Sequence, residues 1–354
     1  MIYLFTVILL LASLYIYFPI AKKYRLLAGV NNRSSHKRPV ITGAGFIFYL
    51  SYLVYIVHQI WTGDQIPIWL FIGLTILAVI SFMDDLSDVW FLFRLMVQGV
   101  AAIALLWQLK CDFDIDVQAS VSQWLAACFL LILAVGSFNL YNFMDGLNGM
   151  LGGLALSMVL PALLIDLYVV DFIDDELLYF TIIPTIIFLF FNYRKQPKCF
   201  SGDVGSIVLG YLMVYMVLSL LIKTGNVVYI FFFSVVYIEA GLTVFQRLFA
   251  GENIFKPHRI HLFQLLCNEH NKSHRLVSEI YAGIQFLMGI GLFLLNYYDV
   301  PRLYQNIIFW PIFGGLAFFY LWYKRKRMGG HLLEYNENTT NIKDQFKKIK
   351  KIKV

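Results

Sequence analysis

Charge is scarce in this 354-residue chain: Asp, Glu, Lys and Arg make up 14% of it, where a soluble domain carries about 25%. A soluble globular fold is excluded on that ground. Cysteine is scarce too, with four residues and no CxxC spacing, which excludes a disulfide framework and the common zinc scaffolds. There is no HExxH, no internal repeat of the kind transporters display, and no outer connection long enough for a separate soluble domain. No basic stretch precedes the first apolar run and no small-residue cleavage pattern follows it. That run therefore reads as a retained first span rather than a signal peptide. What the chain has in abundance is apolar surface, 60% hydrophobic residues with a mean hydropathy of +0.70.

The apolar residues come in long runs, each about the length a helix needs to cross ~30 Å of hydrocarbon. Eleven can be counted, roughly 2–20, 43–61, 66–83, 93–109, 121–140, 149–170, 176–192, 205–222, 227–245, 278–298 and 304–323. Barrel strands alternate and would not give continuous runs of this length. The expected fold is therefore all-α, a polytopic integral membrane protein of about 11 transmembrane helices. With the N-terminus outside, 25 of the 28 Lys and Arg fall on the inner segments 21–42, 84–94, 193–204, 246–277 and the stretch after 323. Only Lys110, Lys223 and Arg302 fall outside. So lopsided a split places the N-terminus outside and the C-terminus in the cytoplasm. It also accounts for the net charge of +6 without nucleic acid as a partner. Residues 1–323 read as one transmembrane domain, and 324–354 as a basic tail anchored to anionic headgroups. Glycines 149, 152, 153, 283, 289 and 291 are placed to let helices pack closely.

Four polar clusters interrupt the runs, an even number of crossings apart, so all can open on one face. Asp84 and Asp85 end the third run, with Asp88 a helical turn later. Carboxylates so spaced share a helix face and repel unless a cation sits between them; alternatively, they simply mark the helix end. Asn139, Asn142 and Asp145 recur every three residues, followed by Gly146 and Gly149. Their oxygens are hard ligands suited to Mg²⁺ or Mn²⁺, and an Asx-rich turn is the other reading. Gly202-Asp203-Val204-Gly205-Ser206 opens the eighth run, where a helix N-terminus both needs a cap and attracts phosphate. His258, Arg259 and His261 stand near Lys256 and Arg247. Arginine grips phosphate oxygens with two parallel bonds; positive-inside charge, the alternative, explains the arginine well and the two histidines poorly. Glu239 falls within the ninth run, where carboxylates are functional candidates by default. Asp166, near the outer end of the sixth, can snorkel and is set aside. Together these clusters point to a metal-assisted site for an anionic, phosphorylated substrate.

In this order and spacing the motifs resemble those of the polyprenyl-phosphate N-acetylhexosamine-1-phosphate transferase family. The resemblance runs from about Asn32 to Leu266. It takes in Arg33-Ser34-Ser35-His36, Pro39 and Gly43-Ala44-Gly45, then Asp84-Asp85, then Asn139-x-x-Asn142-x-x-Asp145-Gly146-x-x-Gly149. Phe200-x-Gly202-Asp203-x-Gly205-Ser206 and His258-Arg259-x-His261-x-x-Gln264 complete it. The resemblance implies transfer of a sugar-1-phosphate from a UDP-N-acetylhexosamine to undecaprenyl phosphate, releasing UMP, with Mg²⁺ (or Mn²⁺). The site would face the cytoplasm from the bacterial inner membrane. By the same resemblance Asp203 binds the metal with Asn142 assisting, and Asp84 and Asp85 act near the lipid phosphate as base or through the metal. Asn139 and Asp145 line the nucleotide-sugar pocket. His258, Arg259 and His261 hold phosphates or the sugar, and Ser34 and His36 bind substrate. A homodimer is compatible with this family.

His-Arg-x-His resembles the GlcNAc-type and O-antigen-initiating members, whereas the muramyl-pentapeptide enzymes carry consecutive histidines. Two departures stand out. Glu239-Ala240 replaces a usual Asp-Ala, and Thr42-Gly43-Ala44-Gly45 replaces a frequent Arg-Gly-Gly-Gly. Both leave room for another sugar, such as a 6-deoxy-HexNAc, and phospho-MurNAc-pentapeptide is a further alternative. A CDP-alcohol phosphotransferase would need DGxxAR, but Asp145-Gly146-Leu147-Asn148-Gly149 lacks the Ala-Arg. An ion-coupled transporter would use intramembrane carboxylates like Glu239, yet would not need four polar motifs on one side.

Overall fold

The computed structural model describes residues 1–29, 38–87, 89–116, 120–253 and 259–327. Ser34, His36, Asp88, Lys256 and His258 lie outside the described residues. The described chain is helical except for one two-stranded antiparallel sheet, β1 (Leu27–Ala28) with β2 (Val40–Ile41). In order, the first helices are α1 (Ile2–Lys23), α2 (Phe46–Thr62), α3 (Ile68–Leu86), α4 (Phe91–Asp112) and α5 (Val121–Phe143). Then come α6 (Met150–Tyr168), α7 (Asp175–Asn192) and α8 (Gly202–Thr224). The ninth apolar segment, Val227–Phe249, is not one regular helix. It starts as a 3₁₀ helix (Val227–Phe233), passes through α9 (Ser234–Val236) and a π-turn (Tyr237–Gly241), and ends as α10 (Leu242–Phe249). A short α11 (Leu262–Asn268) precedes α12 (His274–Tyr297) and α13 (Arg302–Arg327).

Ten of these segments are long and apolar enough to cross a membrane. The 17-residue α2 is the eleventh apolar helix, so every expected run is helical. Lipid can satisfy no backbone hydrogen bond, and helices meet that demand internally. The ends moved by a few residues. α8 begins at Gly202 rather than 205, and α13 runs through Arg327, so Lys324 to Arg327 form its last turn instead of starting a tail.

α8 is the axis of the bundle. It packs against α2, α3, α4, α5 and α6, and its apolar window is 89% buried, against 11% for α13. The large apolar side chains left exposed on α1, α4, α5 and α13 are those a bilayer would cover. α6 and α12 approach closely: a Cβ on Gly153 would press on Ala282, and one on Gly289 would collide with Pro161. Small residues at such contacts let helices meet without a water-driven hydrophobic effect.

Candidate active site

The polar motifs meet at one end of α8. Asp203 and Val204 donate their backbone N–H groups to Asp85, at 2.9 and 3.1 Å. The first N–H groups of a helix have no partner within it, and a carboxylate there also meets the positive end of the helix dipole. The carboxylate at the end of α3 therefore caps the start of α8. Gly202 makes this approach feasible: its φ is +72°, and a Cβ there would overlap the Asp85 carboxylate.

On the other side of α8, Ala44 and Gly45 donate to the carbonyls of Phe200 and Ser201 at 3.0 and 2.8 Å. A Cβ on either Gly45 or Gly205 would overlap the other's Cα. The small Thr42-to-Gly45 segment and the Gly205 turn are thus two halves of one backbone contact.

Asp84 faces Arg94 at the start of α4. Arg94 pairs with Asp84 and also reaches Asp203 Oδ2 at 3.2 Å. The other oxygen of Asp84 accepts the Val89 N–H at 2.9 Å. Asp84, Arg94, Asp203 and Asn142 line one small cavity with Ser81 and Gln98. In the sequence Arg94 stands out only as an inner-loop charge. The available signal was its position ten residues after Asp84, in a loop with no other cation.

Asn139 and Asn142 lie in the last turn of α5, and Asp145 in the turn beyond it, so the three do not share one helix. Asn139 pairs with Gln98 of α4, its Nδ2 donating to Oε1 at 2.7 Å. Asn142 Oδ1 accepts from Ser206 Oγ at 2.6 Å. Asp145 accepts from Ser201 Oγ, and burial pushes its carboxyl up to about 6 despite that bond.

The histidine segment joins through the same turn. A Cβ on Gly146 would run into the Phe263 ring, and that ring stacks on His261 with centroids 5.2 Å apart. His261 is 3% exposed, and burial holds its imidazole below the ordinary range while Glu239 works against the shift. Arg259 lies 3.9 Å from Glu269. Asp166, set aside in the sequence, accepts the backbone N–H groups of Phe172 and Ile173 at 3.0 and 3.2 Å.

The donor set fits a hard divalent cation. Asp84, Asp203 and the Asn142 amide oxygen share the cavity, and Mg²⁺ is commonly held by one or two carboxylates plus water and substrate phosphates. Among the described residues no three His, Cys, Asp or Glu side chains are grouped to hold a metal by themselves.

The model of glycosyl transferase family 4 matches residues 67–221, a span that holds Asp84, Asp85, Arg94, Asn139, Asn142, Asp145 and Asp203. The undecaprenyl-phosphate alpha-N-acetylglucosaminyl 1-phosphate transferase of Thermotoga maritima is 27% identical, over 77% of this chain and 83% of its own. Its counterpart in Escherichia coli K12 is 24% identical, over 90% and 89%. The phospho-N-acetylmuramoyl-pentapeptide-transferase of Thermotoga maritima is 27% identical, over 63% and 76%. With its motifs assembled around one helix end in a multi-pass membrane bundle, this chain is similar over residues 67–221 to glycosyl transferase family 4.

Proposed function

We propose that this protein transfers a HexNAc-1-phosphate, foremost GlcNAc-1-phosphate, from a UDP-sugar to undecaprenyl phosphate, releasing UMP. The reaction takes place at the cytoplasmic face of the bacterial inner membrane, as the first membrane step in making an envelope polysaccharide. The observation that carries this reading is the cavity shared by Asp84, Arg94, Asn142 and Asp203, set at the start of a membrane-buried helix. The names of the relatives support the substrates.

A lipid phosphate oxygen attacks the phosphorus that bears the sugar. The bond from that phosphorus to the oxygen bridging to uridine monophosphate breaks, and UMP leaves with the electron pair. The nucleophile needs little help from a base, because a phosphate monoester's second pKa is about 6. The difficulty is charge: two anionic groups must meet. Positioning and electrostatic neutralisation supply most of the catalysis in such transfers. Arg94 places its guanidinium between Asp84 and Asp203, where a phosphate could draw it away from the carboxylates. Asp85 keeps Asp203 in place through α8, and Ser206 orients the Asn142 amide. A Mg²⁺ ion held by Asp203, Asn142 and Asp84 would supply further neutralisation of the diphosphate. His261 and Arg259, with His258 beside them in sequence, are assigned to the phosphates or the sugar, and Asn139 and Asp145 to the nucleotide-sugar side.

The test is UMP release by purified protein given undecaprenyl phosphate, Mg²⁺ and a panel of UDP-sugars. Turnover with UDP-GlcNAc is the expected result. Turnover with a 6-deoxy-HexNAc donor alone would move the assignment to that sugar, and no turnover with any donor would remove the reading. A chelator should abolish release, and added Mg²⁺ should restore it; full turnover in metal-free buffer would remove the metal.

A further inference from the structure

Glu239 is 1% exposed, inside the π-turn of the ninth span, and the groups around its carboxylate come from three other segments of the chain. Leu262, the first residue of α11, donates its N–H to Oε1 at 2.8 Å. The His261 ring lies 3.4 Å from the same oxygen, through Nδ1. Tyr281 of α12 donates to Oε2, and Tyr320 of α13 donates to Oε1 at 3.1 Å. A carboxylate so enclosed is costly unless a countercharge lies near.

Lys324 provides that charge from the inner end of α13. It begins a run of four basic residues, yet it is 0% exposed, whereas Lys326 points outward. Its ammonium donates to Thr243 Oγ1, Gln246 Oε1 and Tyr320 OH at 2.8, 2.9 and 3.1 Å. Thr243 Oγ1 in turn donates to the Glu239 carbonyl at 2.7 Å. Lys324 thus reaches Glu239 through two hydroxyls rather than by direct contact. Five elements are tied together, and the chain of bonds ends on His261 and Leu262. π-Turns within helices occur frequently at functional sites, and this one directs Glu239 to the histidine segment.

We propose that Glu239 and Lys324 are a positioning pair that holds His261 and the start of α11 for the transfer step, so that the last helix acts on the site without touching substrate. The role in transfer rests on the function proposed above; the placement itself does not. A serviceable site needs its groups held closely, and a displacement of about 1 Å can cost on the order of 100-fold. The length of Glu239 compared with aspartate then has a local reason: its reach to Leu262.

The experiment uses the full-length protein in detergent with Lys324→Met, Glu239→Gln, Glu239→Asp and the double variant Lys324→Met/Glu239→Gln, with Lys326→Met as control. Two quantities are read: kcat and KM for the UDP-sugar, and amide hydrogen exchange of the segment 259–268. Lys324→Met and Glu239→Gln should each speed exchange in that segment and lower kcat about 10- to 100-fold. The double variant should be no worse than the weaker single, because both act through one placement. Glu239→Asp should be intermediate, and Lys326→Met should match wild type. If Glu239→Gln does not fold, Lys324→Met and Glu239→Asp carry the comparison. Additive losses, or unchanged exchange in Lys324→Met, would overturn the proposal. If wild type turns over no donor, the exchange readout still decides the placement while the functional reading fails separately.

Discussion

Asp85 and Asp203 are joined through backbone rather than through their side chains: the N–H of Asp203 donates to the Asp85 carboxylate at 2.9 Å, and that of Val204 follows at 3.1 Å. Two motifs 118 residues apart thereby become one rigid unit, in which α3 supplies the cap and α8 supplies the carboxylate that lines the cavity.

Asp85→Ala should destabilise the protein as well as inactivate it. Two helix N–H groups lose their acceptor, a cost of about 1–3 kcal/mol. Asp85→Asn keeps one acceptor oxygen and should recover part of the stability but little of the activity. Thermal unfolding in detergent, run beside a UMP-release assay, checks both. An Asp85→Ala protein that unfolds no earlier than wild type would remove the capping role.

In the proposed mechanism Arg94 and a Mg²⁺ ion would compete for the same two carboxylates, Asp84 and Asp203. In Arg94→Gln the pair Asp84 and Asp203 loses its fixed countercharge, so Mg²⁺ should saturate at an equal or lower concentration. If Arg94 meets the lipid phosphate during transfer, its loss removes a charge-assisted partner worth about 1.5–3 kcal/mol, and the lipid KM should rise roughly 10- to 150-fold. Titrating the metal and undecaprenyl phosphate separately distinguishes the two effects. A higher Mg²⁺ requirement together with an unchanged lipid KM would reverse the assignment.

Asp145 sets a pH dependence. Burial raises its carboxyl from 3.8 to about 6, so the folded state holds a proton that the unfolded chain releases. Between roughly pH 4 and 6 stability should therefore fall as pH rises, by up to about 3 kcal/mol, and stay lower above that window. Asp145→Asn carries no charge to bury and still accepts from Ser201. It should flatten this part of the curve and unfold at a higher temperature than wild type at pH 7. Melting curves from pH 4 to 8 decide the point; identical slopes would show that Asp145 ionises freely.

Arg259→Lys separates a phosphate clamp from a topological charge. Lysine orients a cytoplasmic loop as well as arginine does but lacks the planar fork. If Arg259 holds phosphate oxygens bidentately, the loss should be about 1.5–3 kcal/mol, or roughly 10- to 150-fold in kcat/KM for the UDP-sugar. Wild-type kinetics would strip Arg259 of that role and weaken the assignment of His258 and His261 with it.

The eleven helical segments and the gathering of the polar clusters at one end were legible in the sequence, for a simple reason. A bilayer admits few structures, so an apolar run of sufficient length is a helix. Even crossings between Asp84, Asn142, Asp203 and Arg259 then leave the motifs little choice of side. What each side chain does there was not legible. Asp84 and Asp85 are neighbours of one residue type, yet one faces Arg94 across the cavity and the other caps α8. Arg94 looked like any inner-loop cation, and Lys324 like the first residue of a basic tail, although it is buried within the bundle. Such roles depend on which helix end meets which, at a resolution of about one hydrogen bond. A hydropathy pattern, which records only whether a segment prefers lipid or water, is insensitive to that choice.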